Sequence, residues 1–414
     1  MKPEPNKALV HRNRQPTVLQ LGKDGQENVQ LIATRGVGYF GHPWEGAAVD
    51  GILYQRFPPS LILVTDPYPI RSSADQIPRN KRPVFVMGCH RSGTNLLYDN
   101  LLSAGGFALY RGYLPIYKML IPRFGNLEQP ENRKRLIETW LLSKGFRRSG
   151  LDAQGHAKKL LKECRNGGDF IRLTMDDVAA QQGTSRWAVY DPDNVLYVPQ
   201  IKRDIPGALF VHIIRDGRDI ALSLKKMGGF APLPWDRNET RSLLATAMYW
   251  EWMVRRGREY GKAIPGDYVE IRYEELVTNP TATLASLGKF LDHDLDYERI
   301  RQASLGRLRE TNSSFREEVT KEKIQPVGRW KERLSRENVI ALEATVGDYL
   351  QELGYPLTTT EEERSMGLRG RWMRSVYPAF LDTKLWLKTE TPVGRMSNLS
   401  ALELENISQP QSTQ

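Results

Sequence analysis

The sequence predicts an α/β fold, with a central parallel sheet flanked by helices and with N-terminal and C-terminal extensions. Two observations lead to this prediction. Short apolar runs rich in β-branched and aromatic residues recur along the chain, at residues 83–87 (PVFVM), 208–214 (ALFVHII) and 267–273 (DYVEIRY). Each run is followed by a turn and then by a segment with helical character. Apolar strands that alternate with helices are typical of a parallel sheet covered on both faces.

Local sequence patterns predict where the individual strands and helices begin and end. The first strand, Pro83–Met87, stops at Gly88, and the next helix, Thr94–Leu102, carries its leucines on or near one face. The second strand leads into a helix at Ile220–Lys226. The third leads through the Asn279-Pro280 turn into Thr281–Leu291. Further helices are expected at Glu131–Leu142, Ala157–Arg165 and Arg241–Tyr260.

Local composition and sequence pattern divide the chain into three parts. Residues 1–81 form a loop-rich N-terminal extension and a polar linker, whose function the sequence does not indicate. Residues 82–356 hold the alternating strands and helices. Residues 357–414 form a C-terminal extension, predicted to be helical over its basic, aromatic-containing stretch 364–388 and disordered at its end.

Composition narrows the class of protein. The chain has 414 residues, with 59 Lys and Arg against 49 Asp and Glu, for a net charge of +10. The basic residues are spread along the chain, which argues against a nucleic-acid partner. Cys89 and Cys164 are the two cysteines, too few for a disulfide framework or a multi-cysteine zinc site. The N-terminus lacks a signal-like apolar stretch, and a cytoplasmic location is expected.

Residues 88–95, with the sequence GCHRSGTN, have the layout of a phosphate-binding loop between a strand and a helix. Glycines allow a tight turn whose N–H groups point at an anion, and the helix N-terminus attracts negative charge. Thr94 and Asn95 stand where a Walker loop requires Lys followed by Ser or Thr. The cation lies inside the turn at Arg91, where its planar fork suits a small anion.

A second turn has similar properties. Residues 215–223, with the sequence RDGRDIALS, also follow an apolar strand and open a helix. Arg215 could supply charge and Ser223 a hydroxyl donor to a second phosphate. We therefore expect two anion-binding turns at neighbouring strand ends.

With these two turns, the sequence resembles the PAPS-dependent sulfotransferase family, whose members have a P-loop NTPase-like fold. Residues 91–94 look like the family's 5'-phosphosulfate loop, and Arg215 and Ser223 match its 3'-phosphate pair at the eight-residue spacing. Residues 328–331 (GRWK) are similar to the C-terminal signature that closes over the nucleotide. The resemblance spans roughly Arg82 to Pro356.

The resemblance implies transfer of a sulfuryl group from 3'-phosphoadenylyl sulfate (PAPS) to a hydroxyl or amine, with release of adenosine 3',5'-bisphosphate (PAP). No metal is implied, and the histidines and acids show no ligand spacing. Arg91 would stabilise the leaving phosphate, Arg329 would reinforce the 3'-phosphate site, and Trp330 could pack on the adenine. The nucleotide-binding residues that the resemblance implies are Gly88, Arg91, Ser92, Gly93, Thr94, Asn95, Arg215, Ser223, Gly328, Arg329 and Trp330.

The sequence departs from the family pattern at two places. Tyr190 stands where relatives often carry a lysine that assists the leaving group. The segment Gly106–Tyr113 holds no acid and no histidine, although relatives place their general base there. His90, Asp191 and Asp176 are the substitute bases that the sequence offers, with Tyr190 a hydrogen-bond donor without charge.

Two alternative hypotheses are a P-loop nucleotide kinase and a nucleotide-binding protein of the same fold without turnover. The acceptor could be a small molecule, a carbohydrate or a lipid. Residues 364–388 could form an amphipathic helix that touches a membrane. Alternatively, Trp372, Tyr377 and Trp386 could dock onto the main domain.

Overall fold

The computed structural model describes residues 77–227, 230, 232–233, 241–308 and 327–404. Within this part of the chain, four parallel strands form one sheet in the order β2-β1-β3-β4. The strands are β1 (Val84–Met87), β2 (Ala188–Tyr190), β3 (Leu209–Ile214) and β4 (Tyr268–Arg272). The predicted α/β class is confirmed. The sequence did not reveal β2, because three residues are too few to show a pattern.

Helices connect the strands and cover the sheet. They are α1 (Thr94–Ala104), α2 (Ile121–Phe124), α3 (Pro130–Leu141), α4 (Lys144–Ser149), α5 (Ala153–Glu163), α6 (Gly167–Gln181), α7 (Val198–Asp204), α8 (Gly217–Lys225), α9 (Leu243–Lys262), α10 (Tyr273–Thr278), α11 (Pro280–Leu291), α12 (Tyr297–Ala303), α13 (Trp330–Arg333), α14 (Arg336–Glu352) and α15 (Leu368–Glu390). The predicted helices differ from these bounds by a few residues. The predictions for residues 1–76 and for the end of the chain after residue 404 lie outside the described residues.

The two central strands, β1 and β3, are buried on both faces of the sheet. Phe85 and Met87 of β1 belong to one hydrophobic cluster, and Val84 and Val86 belong to another. Successive side chains of a strand point to opposite faces, so the two clusters lie on opposite sides of the sheet. This burial explains why β1 and β3 are nearly continuous apolar runs, whereas the edge strand β4 is only partly buried and contains the exposed Glu270.

The C-terminal helix α15 packs on α9. Tyr377 and Leu381 are buried in the same cluster as Phe85, and the Tyr377 hydroxyl donates to the Pro232 carbonyl at 2.8 Å. Trp372 and Trp386, however, are 66% and 55% exposed. Of the three aromatic residues considered for docking, only Tyr377 docks onto the described part of the main domain. The expectation was wrong for the two tryptophans, because they project from the opposite side of the helix.

A buried ionic network ties α8 to α14. Arg218 is 1% exposed and contacts Asp216 at 2.8 Å and Glu343 at 2.5 Å. Glu343 also accepts hydrogen bonds from the backbone N–H groups of Thr358 and Thr359, at 2.9 and 3.0 Å. The network therefore holds the segment after α14 against the helix that follows β3.

We expect Glu343→Ala to lower the free energy of unfolding by about 3–5 kcal/mol, because it leaves part of the Arg218 charge buried without its partner. Glu337→Ala, on the exposed start of α14, serves as the control and should cost at most about 1 kcal/mol. Urea unfolding followed by circular dichroism would measure both. Equal midpoints for the two variants would contradict the structural importance of the network.

Candidate active site

The phosphate-loop residues lie at the carboxyl end of β1. The loop turns through three residues with positive φ: Gly88 (153°), Arg91 (73°) and Gly93 (100°). A Cβ atom at Gly93 would lie 2.5 Å from the Tyr273 ring, so a larger residue does not fit there. The Ser92 hydroxyl is buried and forms no hydrogen bond with any described residue. A buried polar group of this kind requires a partner, such as a bound anion.

The second turn lies beside the first, because β1 and β3 are adjacent in the sheet. Arg215 Nη1 donates to the Arg91 carbonyl at 3.2 Å, and Arg91 Nε donates to Ser223 Oγ at 2.9 Å. The Arg215 guanidinium also stacks 4.2 Å above the Tyr273 ring. Two arginines and a hydroxyl that are distant in the sequence thus converge at one edge of the sheet.

Residues 328–330 are joined to this edge by Asp219. Its carboxylate accepts from the backbone N–H of Gly328 at 2.9 Å and of Trp330 at 3.0 Å. Burial and, next, the positive charge of Arg215 lower the pKa of Arg329. Because two like charges repel, an anion between Arg215 and Arg329 would stabilise both.

Trp330 occupies a different position from the one expected for an adenine-stacking residue. It is 3% exposed, and the Arg218 guanidinium lies 3.8 Å from its ring centroid. Little of the indole surface therefore remains for an adenine ring. The structure favours a supporting position, in which Trp330 anchors the segment that carries Arg329.

A cluster of charged residues adjoins the phosphate loop. His90 Nε2 lies 3.1 Å from Asp193 Oδ2, and Lys118 forms an ion pair with the same oxygen. Asp191 precedes this carboxylate by two residues, and its Oδ1 accepts from the Asp193 N–H at 3.0 Å. The sequence did not indicate Lys118 or Asp193, because no local motif marks residues that meet only through the fold.

The two carboxylates of the cluster have opposite electrostatic surroundings. Burial alone would raise the pKa of Asp193, but the nearby His90 and Lys118 hold it well below its usual range. Burial and the negative charge of Asp193 raise the pKa of Asp191 to about 6. Asp193 is therefore ionised at neutral pH, and it can fix the imidazole of His90.

Tyr190 and Asp176, the other candidate catalytic residues, have different neighbours from His90 and from each other. Tyr190 lines a small cavity together with Tyr98, Tyr110, Asp191 and Asn194. Asp176 accepts a hydrogen bond from Trp187 Nε1 at 2.8 Å and lies 3.6 Å from Arg172. Asp176 therefore has a structural contact, whereas Tyr190 borders the cluster around Asp191.

The C-terminal helix also reaches this cluster. Burial, and then the positive charge of Lys118, lower the pKa of Lys388, while Asp193 acts in the opposite sense. Lys388 is therefore within electrostatic range of Lys118 and Asp193, although it lies in the predicted extension.

The described residues contain no group of three or more His, Cys, Asp or Glu side chains arranged to hold a metal ion. No described helix combines the length and the apolar character needed to cross a bilayer.

A phosphate-type loop and a second cationic turn lie side by side on adjacent parallel strands, an arrangement suited to an anionic ligand. The sequence profile of the sulfotransferase family matches residues 83–297, which is just over half of the chain. The chain therefore belongs to the sulfotransferase family. This membership confirms the resemblance and favours a sulfotransferase over a nucleotide kinase.

Individual relatives are distant. A Caenorhabditis briggsae protein named "Putative protein-tyrosine sulfotransferase" is 22% identical over 289 residues, covering 68% of this chain and 92% of its own. A Caenorhabditis elegans protein of the same name is 24% identical over 179 residues, covering 42% and 67%.

Solved structures are also similar to this chain. The sulfotransferase domain of the Synechococcus PCC 7002 olefin synthase has a TM-score of 0.42 at 17% identity and covers 66% of this chain and 95% of its own. Retinol dehydratase in complex with androsterone and PAP has a TM-score of 0.34 at 16% identity, covering 68% and 84%.

Proposed function

We propose that this sulfotransferase moves the sulfuryl group of PAPS to a hydroxyl or amine acceptor and releases PAP. One observation carries the proposal: Arg215 donates to the backbone of Arg91, and Arg91 donates to Ser223, so the two cationic turns form one site. A nucleotide with phosphates at both its 5' and 3' positions fits two such turns better than a nucleotide phosphorylated only at its 5' position does.

The two turns would take different phosphates. Arg91 and the backbone N–H groups of residues 92–95 would hold the 5'-phosphosulfate at the N-terminus of α1. Arg215, Ser223 and Arg329 would hold the 3'-phosphate. The lowered pKa of Arg329 beside Arg215 supports this assignment, since a bound dianion would relieve the repulsion between them.

The chemistry then requires a proton acceptor and a group that stabilises the leaving phosphate. The acceptor oxygen or nitrogen forms a bond to sulfur while the bond from sulfur to the 5'-phosphate oxygen breaks. Arg91 would stabilise the charge that develops on that phosphate. The proton released by the acceptor passes to an enzyme base, which we assign to His90.

His90 is favoured over Asp191 because of its contacts and its access. Its side chain is 19% exposed, and an ionised Asp193 holds Nε2 at 3.1 Å. If Nε2 carries the proton donated to Asp193, Nδ1 of the neutral ring can accept one, as in other carboxylate–histidine pairs. Asp191 is only 3% exposed, so its carboxylate is less accessible to an acceptor than the His90 ring.

Nucleotide selectivity tests the proposal. We expect PAP to raise the thermal stability of the protein more than 5'-AMP or ATP with magnesium does, because a ligand specific to the folded state stabilises it. Arg215→Ala should weaken PAP binding by about 30- to 100-fold and leave AMP binding nearly unchanged. Arg203→Ala, which removes an exposed arginine, is the control.

Preference of the unaltered protein for ATP with magnesium would contradict the proposal. Release of PAP from PAPS in the presence of acceptors then separates an enzyme from a silent binder. The acceptor set should contain aliphatic alcohols, phenols, amines, sugars and a tyrosyl peptide. The peptide is included because two relatives are named for protein tyrosine.

A further inference from the structure

The solvent-facing side of α15 is apolar over most of its length. The helix has 23 residues and is about 34 Å long. Five large apolar side chains are between 37% and 85% exposed, and together we call them the Trp372 face: Leu368, Trp372, Val376, Trp386 and Leu387. Large exposed apolar side chains grouped on one side of a helix are typical of an interaction site.

Helical geometry places these five side chains together. At about 100° per residue they fall within roughly 100° of the helix circumference. Tyr377 and Leu381, which are buried against the main domain, project from the other side. Exposed Arg371 and Lys384 flank the face, and Glu390 lies at its end. This arrangement resembles an interfacial helix, with one side apolar and basic residues beside it.

A basic cavity continues from the end of α15. The 3₁₀ turn that follows, Pro392–Met396, exposes Val393 and Met396. Its Arg395 lines a cavity of about 490 Å³ together with Arg123 and Arg135. The other lining residues are Phe124, Gln129 and Asn132, none of which is acidic. Three arginines without a carboxylate among the lining residues suit an anionic headgroup.

We propose that the Trp372 face and the cavity around Arg395 bind an anionic membrane surface. The tryptophans and aliphatic side chains would enter the interfacial region, while the arginines contact lipid phosphates and carboxylates. The net charge of +10 adds a long-range attraction to the same surface. Association of this kind is peripheral and reversible.

Membrane binding would also affect which acceptor the enzyme uses. Lys388 lies two residues after Trp386, so it projects from the other side of α15. The helix packs against α2, which directly follows the segment that holds Lys118. A docked enzyme would therefore hold the charged cluster near the headgroups and favour a membrane-borne, amphiphilic acceptor. This consequence rests on the proposed function, whereas the membrane contact does not.

Flotation of the full chain with vesicles tests the contact. We expect binding to vesicles of phosphatidylcholine with phosphatidylserine, weaker binding to phosphatidylcholine alone, and loss of binding at high salt. Trp372→Ser combined with Trp386→Ser should reduce vesicle partitioning by about tenfold or more. Arg135→Gln combined with Arg395→Gln should reduce it on the anionic vesicles.

Matched controls are present in the chain. Leu109→Ser with Leu161→Ser removes two exposed apolar side chains outside α15, and Arg299→Gln with Arg301→Gln removes two exposed cations. Both controls should float like the unaltered protein. Failure of the full chain to float, or equal flotation of the tryptophan variant, would overturn the proposal. A smaller mass of that variant in light scattering would assign the face to a second copy instead.

These outcomes are separate from those for the proposed function. The tryptophan variant should keep the PAP-dependent rise in thermal stability, because neither tryptophan contacts the phosphate loop in the described structure. If the protein floats with vesicles but PAP does not raise its thermal stability, the membrane proposal stands and the proposed function is contradicted.

Discussion

Arg91→Ala is expected to lower the rate constant of sulfuryl transfer by about 10²- to 10³-fold, the loss typical when a preorganised charge donor is removed from a transition state. The Arg91 side chain belongs to the phosphate loop, and its Nε donates a hydrogen bond to Ser223 Oγ at 2.9 Å. Single-turnover transfer from PAPS to the best acceptor measures the effect directly, because product release does not limit that experiment.

Arg91→Lys separates charge from geometry. It keeps the cation but loses the planar fork and the Nε donor, so we expect a rate between those of the alanine variant and the unaltered enzyme. Arg172→Ala is the control, since Arg172 forms only surface ion pairs among the described residues. An unchanged rate constant in Arg91→Ala would show that the leaving phosphate is stabilised elsewhere.

His90→Ala is expected to lower the same rate constant by about 10²- to 10⁴-fold, as for other positioned general bases. Asp193→Asn should cause a smaller loss, because the imidazole remains but its orientation and tautomer are no longer held by a carboxylate. The Asp193 variant should also leave the KM for PAPS nearly unchanged. A structural role alone would instead lower stability and affect both parameters.

The pH dependence distinguishes His90 from Asp191. The pKa of Asp191 is raised to about 6, so its carboxylate becomes protonated as the pH falls through that value. If Asp191 were the base, transfer would fall below about pH 6 and Asp191→Asn would abolish this acid limb. We expect Asp191→Asn to keep the pH profile of the unaltered enzyme. Loss of an acid limb in Asp191→Asn would reassign the base to Asp191.

Much of the nucleotide site could be predicted from local sequence. Gly88, Gly93 and Arg91 lie within six residues, and Arg215 and Ser223 lie eight residues apart in a single segment. Phosphate binding by backbone N–H groups at a helix N-terminus needs only such a short stretch, so its signature survives in the sequence. The role of Trp330 was harder to predict, because Arg218 covers its ring from a different element.

The sequence offered His90 as one of three possible bases, but the residues that surround it could not be predicted in the same way. His90 and Asp193 are 103 residues apart, Lys118 comes from a third segment, and Lys388 comes from the last long helix. Each is an ordinary polar residue in its own neighbourhood. Their meaning depends on burial beside one another, which changes their pKa values and which no local pattern encodes.

The amino-acid sequence alone was enough to predict the α/β class and the two candidate anion-binding turns, because both depend on periodicity and turn chemistry over a few consecutive residues. Tertiary structure decided which residues surround the reacting group and which side of α15 remains exposed. The physical reason is that charge pairing, desolvation and packing act between elements that are far apart in the chain. They take effect only after the sheet has brought those elements together.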